Sequence, residues 1–361
     1  MAVIADDIAV ARGVQAWAQA VNQAGGLAGR SLRVEVRLVT SPAGYAAAVT
    51  AACATDFAVV GSSSQFDGQS DALSCGVPEL ATRIFDVAHR SRPNAYAAIP
   101  AVAGLERVGA FKRILATTKG CCRQSVLVPA TEPGRAATQQ SLRAAVEVGF
   151  TTAGTPDVGP GADYAGLVRD LVAQQATFAR SGLGAGSTVQ LRQAAAANPG
   201  SRIVKAWYCD ASCDDPSFLA AGGAAVEGQL VDVGLNPLLD QHRIPTMAAY
   251  VRAAKRLGTP TTLAGLESYS AGLLFERVAR QVVAANGTNG LTRVRLLGAV
   301  AGVHDFDAGG ILGITDVAGR QPTGCFALLR VHNGHFVRSF PVEPAGLDCG
   351  TQNLRTVPTG G

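Results

Sequence analysis

In the first half of the chain the hydrophobic positions alternate between two periods. Residues 10–24 carry Val14, Trp17, Ala18 and Val21 on one stripe at helical spacing, which predicts an amphipathic helix. The segment NQAGGLAGR at 22–30 closes it with glycines suited to a helix C-cap and turn. Residues 32–39 (LRVEVRLV) switch to period two and predict a strand. Residues 43–54 predict a second helix, and 56–61 (DFAVVG) a short apolar strand that stops at a serine cluster. Helical patterns recur at 103–116, 134–148, 164–174 and 188–197, and strand patterns at 124–128 and 202–208. Repeated βα units predict parallel sheets joined by right-handed crossovers.

Further along, the pattern changes. Residues 245–257 and 266–285 predict two helices, the second with Leu273, Leu274, Val278 and Val282 on one side. In FALLRVHNGHFVR at 326–338, the Asn333-Gly334 pair between alternating runs predicts a hairpin. No internal repeat of solenoid or propeller period is present.

A length of 361 residues fits two α/β lobes. With 48% hydrophobic and 16% charged residues, the chain can bury sizeable cores and is not of the disordered class. Lys plus Arg (31) exceed Asp plus Glu (27) by only +4, with no basic run, which argues against a nucleic-acid partner. No apolar stretch reaches the roughly 18–20 residues that span a bilayer. The opening MAVIADDIAV has no basic segment and is interrupted by Asp6 and Asp7, so it does not read as an intact secretory signal. The cysteines at 53, 75, 121, 122, 209, 213, 325 and 349 point the other way. An even count with no histidine at zinc-ligand spacing predicts disulfides and an oxidising compartment. Together these readings lead to the expectation of an exported protein, periplasmic or membrane-anchored, with the signal segment expected to be absent from this chain.

Catalytic patterns fail one by one. There is no GxSxG elbow and no evident Cys–His pair. His332 and His335 flank the hairpin turn, which explains their spacing without a metal. Asp305 and Asp307 lie near His304, where a turn before Gly309-Gly310 explains them. The GxGxG spacing at 182–186 lacks the third glycine of a dinucleotide loop. No enzyme activity, cofactor or metal is therefore expected.

Several stretches, in order over most of the chain, resemble the branched-chain amino-acid-binding family of type I periplasmic binding proteins. They are Gly13, Trp17 and NQAGGLAGR at 22–30; FAVVGSSS at 57–64 followed by CGVP at 75–78; DYAGLV at 163–168; FDAGGILG at 306–313; and NGHFV at 333–337. The family opens on a core strand, whereas here either that strand is absent or residues 3–8 are a poor substitute. The resemblance implies a two-lobed α/β fold with three hinge crossings. Lobe 1 would be 1–117 plus 236–318 and lobe 2 would be 118–235 plus 319–345, with a tail at 346–361. Gly120, Gly234 and Gly319 lie near the expected crossings. It also implies capture of a small amino-acid-like or carboxylate-bearing molecule between the lobes, delivered by a monomer to an ABC permease. A ligand-sensing receptor of the same fold is the alternative. A bridge between Cys53 and Cys75 is expected, as the family often has one there and each cysteine ends a helix flanking one strand. Cys325–Cys349 would tie down the tail and Cys209–Cys213 would close one loop. Cys121 and Cys122 could bond to each other or elsewhere.

By the same resemblance the ligand lies at loops leaving the carboxyl ends of strands, where backbone N–H groups and hydroxyls can hold an anion. In lobe 1 these are Ser62, Ser63 and Ser64, although serines there also suit a plain helix cap. Ala81, Thr82 and Arg83 would complete the anion pocket, the alternative for Arg83 being to point to solvent. In lobe 2 they are Glu132 in TEPG at 131–134, Leu183 and Gly184 in SGLGAG at 181–186, and Tyr208 with Asp210. Asp210, or else Asp214 or Asp215, would meet a ligand amine; the plain reading of all three is a solvated acidic turn. Pro133 and the glycines at 182–186 remove bulk where amino-acid binders carry aromatic walls. The expected ligand is thus a carboxylate larger than leucine with an apolar body.

Overall fold

In the computed structural model, residues 1–69, 75–130 and 134–358 are described. The chain divides into two compact units, Met1–Ala103 with Gln241–Thr323, and Gly104–Asp240 with Gly324–Gly361. The first unit opens on β1 (Ala2–Ala5), α1 (Ile8–Gln23), β2 (Glu35–Leu38), α2 (Pro42–Thr55), β3 (Val59–Val60), β4 (Glu79–Ala81), α3 (Val87–Arg90) and β5 (Ala95–Ala97). Its sheet runs β2-β1-β3-β4-β5, parallel throughout. The first strand is therefore present. All four residues of β1 are buried inside the sheet, between β2 and β3. Four small or branched apolar residues suffice there because a central parallel strand is covered on both faces and need not alternate.

The second unit contributes β6 (Leu105–Arg107), α4 (Gly109–Thr117), β7 (Arg123–Pro129), α5 (Gly134–Glu147), β8 (Thr151–Gly154), β9 (Asp157–Val158), α6 (Tyr164–Ala173), β10 (Phe178–Ser181), α7 (Ala185–Ala196), β11 (Ala206–Cys209), α8 (Pro216–Gly222) and β12 (Leu230–Val233). The chain then returns to the first unit for α9 (Pro245–Arg256), α10 (Leu263–Asn286) and α11 (Arg293–Val300). It ends in the second unit with β13 (Ala327–His332), β14 (His335–Phe340) and β15 (Leu354–Thr356). That unit's sheet runs β14-β13-β12-β11-β10-β7-β8, with β9 also on β7. The members β7 to β12 pair in parallel and the terminal hairpin adds antiparallel strands, turning at Asn333-Gly334.

Two differences from the sequence expectation have local causes. The first crossing falls at 103/104, before α4, and the last at 323/324. Gly109 of α4 lies against the Phe326 ring so closely that a Cβ would collide with it. The tail is part of this unit, since β15 pairs with β6 and Cys349 bonds to Cys325. Cys53–Cys75, Cys209–Cys213 and Cys121–Cys122 are also bonded.

In the first unit α1 packs on α10. Gly13 and Gly272 let the helices meet at positions where a Cβ would strike Gly265 and the Trp17 ring. Trp17 stacks edge-on against Phe275, 5.8 Å between centroids, and its indole N–H donates to Glu276 at 3.0 Å. The second unit's core is aromatic: Phe111, Phe150, Phe178 and Tyr208 form a chain of rings 5.0–5.7 Å apart.

Candidate functional site

The carboxyl end of the first unit's sheet is built from three loops. β1 leads through Asp6 and Asp7 into α1, with Asp7 capping the helix at Ala9 N (2.8 Å). Asp6 accepts the Gln65 amide at 2.9 Å and so ties this loop to the one leaving β3. That second loop is Gly61 to Ser64. Gly61 has a φ of +70°, and a Cβ there would meet Val14, so glycine is required at the bend. The third loop leaves β4. Its Thr82 is buried, donating its hydroxyl to the Gly61 carbonyl (3.0 Å) and its amide to the Ser62 carbonyl (2.9 Å).

The three serines differ in availability. The Ser62 hydroxyl donates to the buried Glu79 carboxylate. Ser64 is buried, with its hydroxyl accepting the Phe66 amide at 3.1 Å. Ser63 is half-buried and its amide donates to the Ile4 carbonyl at 3.1 Å. Among the described residues, the Ser63 hydroxyl and the Ser64 amide have no protein partner. Ala81 is the buried last residue of β4, and Arg83 forms two hydrogen bonds to Glu267 near the start of α10, at 2.7 and 3.1 Å. Exposed Ile8 and Phe85, on the loops leaving β1 and β4, add apolar surface.

In the second unit, Leu183 and Gly184 join β10 to α7. The Leu183 amide donates to the Ser181 hydroxyl at 3.1 Å. Gly184 caps the helix with a φ of +83°, a conformation that favours glycine. Asp210 is exposed at the end of β11 and accepts from the Ser212 amide and hydroxyl, at 2.9 and 2.6 Å. Asp215 caps α8 through Ser217 N (2.7 Å). Asp214 is buried, and burial first, then Asp215 and Asp240, push its pKa up to about 7 against the Leu238 amide. Tyr208 departs from the expectation. Its side chain points into the aromatic core, where its hydroxyl donates to Asp232 at 3.0 Å, and burial pushes its pKa up. The reason is the strand's alternation, which turns Tyr208 to the face that packs on Phe111 and Phe178 while Trp207 takes the opposite face. Glu132 lies outside the described residues.

A cleft of about 420 Å³ opens at the same end of the second unit's sheet, among the loops leaving β7, β9 and β10. Pro129, Val158, Pro160 and Leu183 wall it. Tyr164, Ser187 and Gln190 also line it, and their side chains have no hydrogen-bond partner among the described residues. None of the described lining residues is charged. The volume is in the range of about 300–1,000 Å³ common to small-molecule sites.

A family model described as periplasmic binding protein matches residues 94–335. The chain belongs to the periplasmic binding protein family. Its architecture is the type I periplasmic binding protein fold, shared with solved structures of low identity. One is a branched chain amino acid ABC transporter protein from Thermus thermophilus with bound valine: 15% identity, TM-score 0.78, covering 94% of each chain. Another is a fatty acid ABC transporter substrate-binding protein from Thermomonospora curvata: 18% identity, TM-score 0.75, covering 99% of this chain and 94% of that one. A third, an ABC transporter substrate-binding protein from Desulfitobacterium hafniense in complex with Leu, has 18% identity and a TM-score of 0.69, covering 94% of this chain and 98% of that one. Comparison with curated proteins finds no match. The periplasmic binding protein family is one of binding proteins rather than catalysts, and it implies work outside the cytoplasm. Among the described residues no helix is long and apolar enough to cross a membrane.

Sequence reasoning passed over Asp6, Ile8, Glu79, Phe85, His89 and the polar lining of the second-unit cleft. A glutamate inside the apolar run VPELA at 77–81 was the available signal, since a charge within a buried strand must find a partner.

Proposed function

We propose that this periplasmic binding protein is the monomeric solute-binding component of an ABC importer. It captures a molecule with a carboxylate at one end and an uncharged body larger than leucine. The Ser63 hydroxyl and Ser64 amide, beside Thr82, are donors suited to the carboxylate. The observation that carries the ligand class is the cleft of the second unit, none of whose described lining residues is charged. A second ionised group would lose hydration there without gaining a partner, whereas an apolar or neutral polar body gains about 25 cal/mol for each Å² it buries. Ligand binding favours the conformation that holds the ligand better, which a permease then recognises.

A thermal-shift panel of leucine, isoleucine, valine, phenylacetate and decanoate tests this reading. Phenylacetate or decanoate should raise Tm in the wild type, and Ser63→Ala should weaken the response. A ligand at 100 times its Kd stabilises by about 2.7 kcal/mol, well within detection. Micromolar binding of the three branched amino acids, with no response to the bulkier acids, would overturn it.

A further inference from the structure

Behind the Ser62–Ser64 loop lies a buried chain of ionisable groups that no ligand contact accounts for. Glu79 and His89 are each 1% exposed and Asp67 is 3% exposed. One Glu79 oxygen accepts the Ser62 hydroxyl, and the other pairs with His89 Nε2 at 2.6 Å. His89 Nδ1 stands 3.7 Å from Asp67. The two Asp67 oxygens accept the amides of Phe85 (2.6 Å) and Asp86 (2.9 Å), and Asp86 in turn caps the His89 amide at 2.8 Å. The chain thus runs from the loop leaving β3, through β4 and α3, to the loop leaving β4 and back to Asp67. Burial alone would push the His89 imidazole down, but the Glu79 carboxylate, then Asp67, hold it up at about 10. Tyr45 faces the same two carboxylates, and burial followed by their charges raises its pKa.

Replacing a buried ion pair by apolar residues is often neutral or stabilising, so stability alone does not account for three buried charges here. What the cluster does supply is geometry. It joins the two loops that carry Ser63, Ser64 and Thr82, and it engages the Ser62 hydroxyl, turning it away from any ligand. We propose that Glu79, His89 and Asp67 are positioning residues that cross-brace these two loops into their binding-ready arrangement. The functional part of this inference rests on the ligand site proposed above; the bracing itself does not.

Hydrogen exchange on the full chain tests the bracing, with Glu79→Gln, His89→Gln and the double variant compared with wild type. Each single variant should speed exchange of the amides at 61–69 and 82–89 at least tenfold, leaving α10 and the second unit unchanged. The double variant should be no worse than either single, because each single breaks the Glu79–His89 pair and leaves the other member's buried charge without that partner. Unchanged exchange at both loops would overturn the proposal. So would a rise spread evenly over the first unit, which is the signature of general core stability. In parallel, the acid of the panel that binds wild type best should bind each single variant at least tenfold more weakly; equal affinity in the face of loosened loops would overturn the positioning role. If no panel acid binds wild type, the ligand reading fails, and the exchange result alone decides the bracing.

Discussion

Arg83 and Glu267, 184 residues apart in sequence, are joined by two parallel hydrogen bonds of 2.7 and 3.1 Å. The fork ties the loop leaving β4 to the N-terminal part of α10. Arg83 was expected to face the ligand anion, yet its charge is already matched by a carboxylate that is only 11% exposed. What the pair does in the structure is hold the loop that carries Thr82 against α10.

Removing Arg83 leaves Glu267 partly buried without this partner. Arg83→Ala should cost about 1–3 kcal/mol, less than a fully buried pair because the arginine is 35% exposed. Arg83→Lys should recover only part, since an ammonium cannot make the forked contact. Urea denaturation measures both; a loss below about 0.5 kcal/mol for Arg83→Ala would show that the pair contributes nothing.

Asp214 predicts the opposite response. Its pKa in the folded chain is raised from 3.8 to about 7, so the fold disfavours its ionised form. That penalty is absent below about pH 4, grows as pH rises, and is complete above pH 7. Among the described residues its Oδ2 has no hydrogen-bond partner. Asp214→Asn should therefore stabilise the protein at pH 8 by on the order of 2 kcal/mol, with the gain vanishing near pH 4. Melting curves at the two pH values decide it, and an asparagine variant that is less stable at pH 8 would contradict the sign.

The Cys53–Cys75 bond closes a loop with a sequence separation of 22 around β3 and the serine loop. Chain entropy assigns such a loop about 3 kcal/mol. The double variant Cys53→Ala/Cys75→Ala should lose stability of that order, and non-reducing peptide mapping of the wild type should recover the 53–75 peptide pair. Free thiols at both positions would remove the bond and weaken the case for an oxidising compartment.

The legible parts of this protein were those with long local periods. α1, α5, α9 and α10 announce themselves because an amphipathic stripe repeats over several turns, and the β13–β14 hairpin because Asn-Gly favours one tight turn. The serine loop was readable as an anion-holding candidate because small hydroxyls followed a strand. Strands such as β1, β4 and β5 were hard to read, since three or four buried residues carry no alternation that could separate them from a loop. Side-chain commitments were not readable at all. Nothing local tells that the Ser62 hydroxyl turns to Glu79, that Arg83 meets Glu267, or that Tyr208 turns into a core of phenylalanines. Those outcomes depend on partners brought near by folding, and the energy of a buried polar group is set by the neighbour that satisfies it rather than by the residues beside it in the chain.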